Sequence, residues 1–176
     1  FDGEAVLGYL NELEDATKNL NPAGDAYWEG KNLHPLGMGV LMADQLGETE
    51  LRDTFLKRMK KILVNWFTYD GKDDISYFIY NNNWGTLYYE QSEFGANAAI
   101  CDHHFTYGYF MFAATVLATY DNEFYNDYKG MIEMMIRDYA GPSDNDSEYC
   151  RFRAYDMYEG HSWAGGYADN DSGNNQ

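Results

Sequence analysis

Apolar residues recur at helical spacing along most of the chain. Val6, Leu10, Leu13 and Leu20 stand three, four and seven apart, which predicts an amphipathic helix over 3–19. Asn21-Pro22-Ala23-Gly24-Asp25 ends it with turn chemistry. A second helix is expected over 32–46, with Pro35 in its first turn, where a missing N–H costs nothing, and Gly47 just past its end. Gly37-Met38-Gly39 inside that pattern reads as close helix packing rather than a nucleotide loop. A third helix starts near Thr49. It places Leu51, Phe55, Leu56, Met59, Ile62, Leu63 and Trp66 on one side, and Arg52, Lys57, Arg58, Lys60 and Lys61 around the rest as a solvated face.

The middle of the chain changes period. Segments 75–80 and 84–89 are rich in aromatic and β-branched residues and flank Asn81-Asn82-Asn83, which predicts a short hairpin or two extended arms. Helices are then expected over 104–120 and 123–139. Phe124, Tyr128, Met131, Ile132, Met135 and Ile136 form the apolar stripe of the second, and Asp121 or Asn122 caps it. Residues 141–160 read as a long polar loop, a feature uncommon unless functional or disordered. The result is an all-α chain of about five antiparallel helices with one hairpin. Five helices and an open end do not obviously close around one core.

Length and composition narrow the classes. The chain has 176 residues, 45% of them apolar and 18% aromatic, so it has ample surface to bury and is not disordered. With 29 acidic and 12 basic side chains the net charge is −17, which excludes nucleic acid as a partner. The longest apolar run, around 109–118, falls short of the ~18 residues of a membrane span. Cys101 and Cys150 are too few for a disulfide framework; they can pair or stay as buried thiols, and the second is favoured. The chain opens on Phe1-Asp2-Gly3-Glu4, neither Met nor a basic-then-apolar leader, so a segment cut from a longer protein, without a signal peptide, is expected.

Two segments could carry chemistry. Cys101-Asp102-His103-His104-Phe105-Thr106-Tyr107-Gly108-Tyr109-Phe110 puts a carboxylate and two histidines at a helix start packed with rings. Neighbouring helical positions do not share a face, so Asp102, His103 and His104 cannot all serve one ion, and no metal or cofactor is expected. The open alternatives are an N-cap Asp beside two partly buried histidines, or a carboxylic acid kept protonated by burial against Phe105, Tyr107 and Tyr109, hence a general acid. The other segment runs from Phe152-Arg153-Ala154-Tyr155-Asp156 to Gly160-His161-Ser162-Trp163-Ala164. Rings with polar tips suit a sugar, whose flat face stacks while its hydroxyls take hydrogen bonds.

Together these segments, with the closing Asn175-Gln176, resemble glycoside hydrolase family 81, the endo-β-1,3-glucanases. Tyr27-Trp28-Glu29-Gly30-Lys31, Trp84-Gly85, Arg137-Asp138, Asp146 and Phe152-Arg153 follow in the family's order. The resemblance implies part of an (α/α)6 toroid, residues 1–176 being a catalytic domain truncated at both ends. It implies an inverting mechanism on laminarin-type β-1,3-glucan, with carboxyls roughly 6.5–9.5 Å apart. Asp102 is then the general acid, and the general base is a Glu directly after Gln176. Trp84, His104, Tyr107, Asp146, Asp156, His161 and Trp163 are assigned to substrate contact, Asp146 also to orienting the water. The expected partners are the glucan and the remainder of the same domain, and the expected location is extracellular. Cys101 and Thr106 depart from the Asn and His that the family carries there. A non-catalytic glucan-binding module is the rival reading. An enzyme acting on acidic polysaccharide is opposed by the charge.

Overall fold

Three of the helices start where a short acidic side chain takes an early amide proton. In the computed structural model, which describes residues 2–141, 145–150, 155–158 and 160–163 (the side chain of Ser162 excepted), Asp2 accepts from the Ala5 N–H at 3.1 Å and opens α1 (Gly3–Thr17). Asp25 accepts from Trp28 at 3.1 Å and opens α2 (Ala26–Leu46). This cap starts α2 six residues before the expected position, so Pro35 lies in the helix interior and removes one N–H from its ladder. Gly47 closes α2 in the left-handed conformation, at φ 77°. Next come α3 (Thr49–Trp66), then β1 (Phe78–Asn81) and β2 (Thr86–Tyr89), paired antiparallel from Phe78↔Tyr89 to Asn81↔Thr86. A one-turn helix, α4 (Ala96–Ala99), precedes α5 (His103–Tyr120). Asp121 then caps α6 (Asn122–Ala140), accepting from Phe124 at 2.9 Å. A second hairpin, β3 (Tyr155–Asp156) with β4 (His161–Ser162), lies inside the expected polar loop. Elements of two to four residues are too short to leave a periodicity, so α4, β3 and β4 were not foreseen.

The all-α class with a short hairpin holds. Helix α2 packs between α3 and α5, and α5 packs on α6. Leu33, Leu36 and Val40 of α2 meet Phe55, Met59, Leu63 and Trp66 of α3 and Phe110, Ala113, Ala114 and Leu117 of α5, all of them buried. The close approach of α2 and α5 depends on glycine. A Cβ at Gly30 would stand 2.7 Å from the Tyr109 ring, and one at Gly37 would stand 2.7 Å from the Phe112 ring. Phe78 sets the base of the first hairpin into this core, edge-on to Tyr107 and Phe110 at 5.4 and 5.0 Å. That contact places the hairpin over the N-terminal end of α5.

Two expectations need correction. The basic face of α3 is not simply solvated. Arg58 donates to the Glu14 carbonyl and the Thr17 hydroxyl, both at 2.6 Å, and pairs with the Glu14 carboxylate; Lys60 pairs with Asp121 at 2.6 Å. These long side chains reach helices that the sequence pattern does not show as neighbours. Both cysteines are free, but only Cys101 is buried; Cys150 is exposed.

Candidate active site

The first hairpin presents Trp84 to solvent. The Asn81 side chain accepts from the N–H groups of Asn83 and Trp84 at 3.0 and 3.3 Å, an Asx-turn, and Gly85 completes the loop at φ 62°. Trp84 is 50% exposed. Loop 145–150 is fastened to the same turn. The Tyr80 hydroxyl donates to the Glu148 carbonyl at 2.5 Å, and the Cys150 thiol donates to the Trp84 carbonyl at 3.7 Å.

Between β2 and α5 the backbone is forced. Phe94, Ile100 and Asp102 have φ of 56°, 51° and 59°, the only non-glycine residues with positive φ among the described ones. Each such residue costs about 1–3 kcal/mol and persists only where its surroundings impose it. Asp102 occupies the N-cap position of α5, yet its carboxylate does not cap; only its carbonyl receives the Thr106 N–H, at 3.0 Å. The plain N-cap reading therefore fails. The half-buried carboxyl instead accepts from the Cys101 thiol at 3.2 Å. Burial, then the adjacent Asp102, push that thiol up to about 12, so Cys101 stays a donor.

Behind Asp102 lies a buried polar knot. His103 Nδ1 and Asp138 Oδ1 are 2.7 Å apart. Asp138 Oδ2 accepts from the Thr86 hydroxyl at 2.8 Å and from the Leu87 N–H at 2.6 Å. The Tyr107 hydroxyl donates to the Leu87 carbonyl at 2.9 Å. One carboxylate thus joins β2, α5 and α6 next to Asp102. Tyr107 is wholly buried here, which corrects its assignment to sugar contact: its ring packs on His103, at 4.5 Å, and on Phe78. His104 faces the other way, half-buried, with its ring 4.4 Å from Phe105. Burial lowers its pKa below 6.5, so it is a neutral imidazole at pH 7, suited to hydroxyl groups.

Asp146 is not a free loop acid. Arg137 grips it with Nε on Oδ2 at 2.7 Å and Nη2 on Oδ1 at 2.8 Å, and Oδ1 also accepts from the amides of Glu148 and Tyr149. The Arg137 guanidinium and then the Glu148 amide lower its pKa to about 2. The same guanidinium lies 4.8 Å over the Tyr149 ring. With both oxygens engaged, Asp146 anchors its loop and is poorly placed to orient a water. Asp156, His161 and Trp163 do come together: Trp163 Nε1 donates to Asp156 Oδ2 at 2.9 Å, and the His161 and Trp163 rings are 5.0 Å apart. Phe152, Arg153, Ala164, Asn175 and Gln176 lie outside the described residues. Among the described residues no three His, Cys, Asp or Glu are grouped to hold a metal ion. Thr86 and the Asp138 carboxylate went unnoticed as partners of the site; the Arg137-Asp138 pair was the only hint.

The site thus has a carboxyl held clear of its helix, neutral polar partners and aromatic faces. The glycosyl hydrolase family 81 C-terminal domain matches residues 7–176. The glucan endo-1,3-β-D-glucosidase of Acetivibrio thermocellus is 39% identical over the whole of this chain, and that of Thermobifida fusca is 38% identical over 99% of it. The chain spans 23% of each of those relatives. A solved structure of a point mutant of the family 81 glycoside hydrolase CtLam81A from Clostridium thermocellum superimposes with a TM-score of 0.87 at 39% identity, covering all of this chain and 25% of that one. The chain belongs to glycosyl hydrolase family 81, within its C-terminal domain.

Proposed function

We propose that this chain is part of the catalytic domain of an endo-1,3-β-glucanase, an arc of an (α/α)6 toroid that hydrolyses internal bonds of a neutral β-1,3-glucan. Asp102 is the general acid, protonating the leaving glycosidic oxygen. A Glu following Gln176 in the intact protein is the base that activates water on the opposite face, so the anomeric configuration inverts. Trp84, His104, Asp156, His161 and Trp163 contact the sugar. Tyr107 supports the acid from behind, and Asp146 holds loop 145–150 against the Trp84 turn. An extracellular location follows from this reading. The single observation that carries it is Asp102 itself, set at φ 59° with its carboxyl withheld from capping α5. A structural aspartate at that position would cap; this one is kept available at a cost in backbone energy.

The test is Asp102→Asn in the full-length enzyme. Release of reducing ends from laminarin should fall by at least about 10²-fold with the circular dichroism spectrum unchanged. Near-normal activity would overturn the assignment. Laminarin binding by the wild-type protein without any release of product would favour the glucan-binding module instead.

A further inference from the structure

A second group of rings lies outside the residues assigned above to sugar contact. The Asp25 carboxylate is buried and spans two segments. Oδ1 accepts from the Trp28 N–H at 3.1 Å, and Oδ2 accepts from the Glu93 N–H at 3.0 Å. This ties the start of α2 to the segment that runs through Phe94 to Asp102. Glu93 answers in turn: its Oε2 accepts from the indole Nε1 of Trp28 at 2.7 Å, which fixes the plane of that ring. Tyr27 braces the pair edge-on, its ring centroid 5.2 Å from that of Trp28 and 5.3 Å from that of Phe94. Lys31 Nζ stands 5.3 Å from the centroids of both Tyr27 and Tyr109.

These rings are organised and yet open to water. Trp28 is 44% exposed and Phe94 63%. Phe94 is also held at φ 56°, a conformation rare for a bulky residue. Burial would favour folding both rings inward, and strain that holds an aromatic outward is characteristic of ligand clamps. The platform adjoins the acid: the Phe94 carbonyl is 4.0 Å from Cys101 Sγ, whose thiol donates to Asp102.

We propose that Trp28 and Phe94, braced by Tyr27 and Glu93, form a further glucan subsite beside Asp102. The rings stack on the C–H face of a glucosyl unit, and Glu93 and Lys31 take its hydroxyls. The inference rests on the reading of the enzyme as a β-1,3-glucanase. A neutral sugar fits the surroundings better than an apolar protein face. The exposed Glu93 and Lys31 rim the rings, and an aliphatic partner would desolvate both charges without pairing them. An anionic ligand would meet a chain of net charge −17.

The test reads affinity directly. In full-length protein carrying Asp102→Asn, calorimetric titration with laminarin gives the parental Kd. Adding Phe94→Ala or Trp28→Ala should weaken binding by about tenfold each, the equivalent of one lost stacking contact. Phe94→Tyr should restore affinity to within about twofold, since the face is kept. If Trp28→Ala lowers the melting temperature sharply, Phe94→Ala alone decides. Unchanged Kd in Phe94→Ala overturns the subsite while leaving the glucanase reading intact. Failure of the wild-type enzyme both to bind and to cleave laminarin overturns the two together.

Discussion

Asp146 shows how far a residue's environment can depart from its neighbourhood in sequence. In sequence it stands beside two other loop acids, Asp144 and Glu148, with nothing to mark a partner, yet Arg137, one helix earlier, takes both its oxygens. Its folded pKa of about 2 lies below the ordinary value of 3.8. The ion pair is therefore fully present above about pH 4 and is lost as pH falls through about 2. Its loss frees loop 145–150 from α6. The Asp146 carboxyl, followed by NMR, should titrate near the lower value, and Arg137→Ala should move the midpoint up towards 3.8. A wild-type midpoint already at the upper value contradicts the clamp. As a candidate acid, Asp102 was legible from its motif. Its left-handed backbone was not, because φ at a helix entry is set by what the preceding segment is fastened to. Tyr107 was misread for a related reason. Nearly every position from Phe105 to Phe112 is aromatic or small, so the pattern does not say which ring faces inward.

At the scale of elements, glycine spacing decides how the site is mounted. Gly30 and Gly37 lie seven apart on α2 and receive Tyr109 and Phe112 of α5, which brings the start of α2, with Trp28, up to the start of α5, with Asp102. Gly37→Ala pushes a methyl group to 2.7 Å from the Phe112 ring and should cost about 1–3 kcal/mol, read as a lower urea midpoint. Gly8→Ala, with open space around its Cβ on α1, should instead stabilise by roughly 0.5–1 kcal/mol. Equal effects at the two glycines rule out the packing account. Helices long enough to repeat their pattern were placed nearly to the residue at 3–19, 104–120 and 123–139. The start of α2 was missed because its cap, Asp25, sits inside a run that also reads as a turn.

For the whole molecule, the relatives matter most. The chain covers about a quarter of each of them, and its surface carries large apolar side chains beyond the proposed subsites, among them Tyr9, Tyr69, Tyr125 and Ile136. If these meet other parts of a longer domain, the 176 residues expressed alone should aggregate or melt without cooperativity. Light scattering and calorimetry on the purified segment check this. A sharp transition from a stable monomer argues that the segment stands alone. The charge of −17 belongs to this scale as well: it spreads over the chain and disfavours anionic polymers, while leaving a neutral glucan unaffected.

Sequence alone determined the helical class, the two extended segments flanking Asn81-Asn82-Asn83 and the family, and it singled out Asp102 as the residue to test. All of these rest on spacing between near neighbours or on composition, which the chain carries wherever it goes. Tertiary structure alone decided that Asp138 braces His103 across 35 residues, that Asp25 joins Trp28 to Glu93 across 68, and that Tyr107 is buried while Phe94 is held in the open. Those outcomes come from competition among many possible partners for each buried carboxylate and each ring, and the packed helices settle that competition.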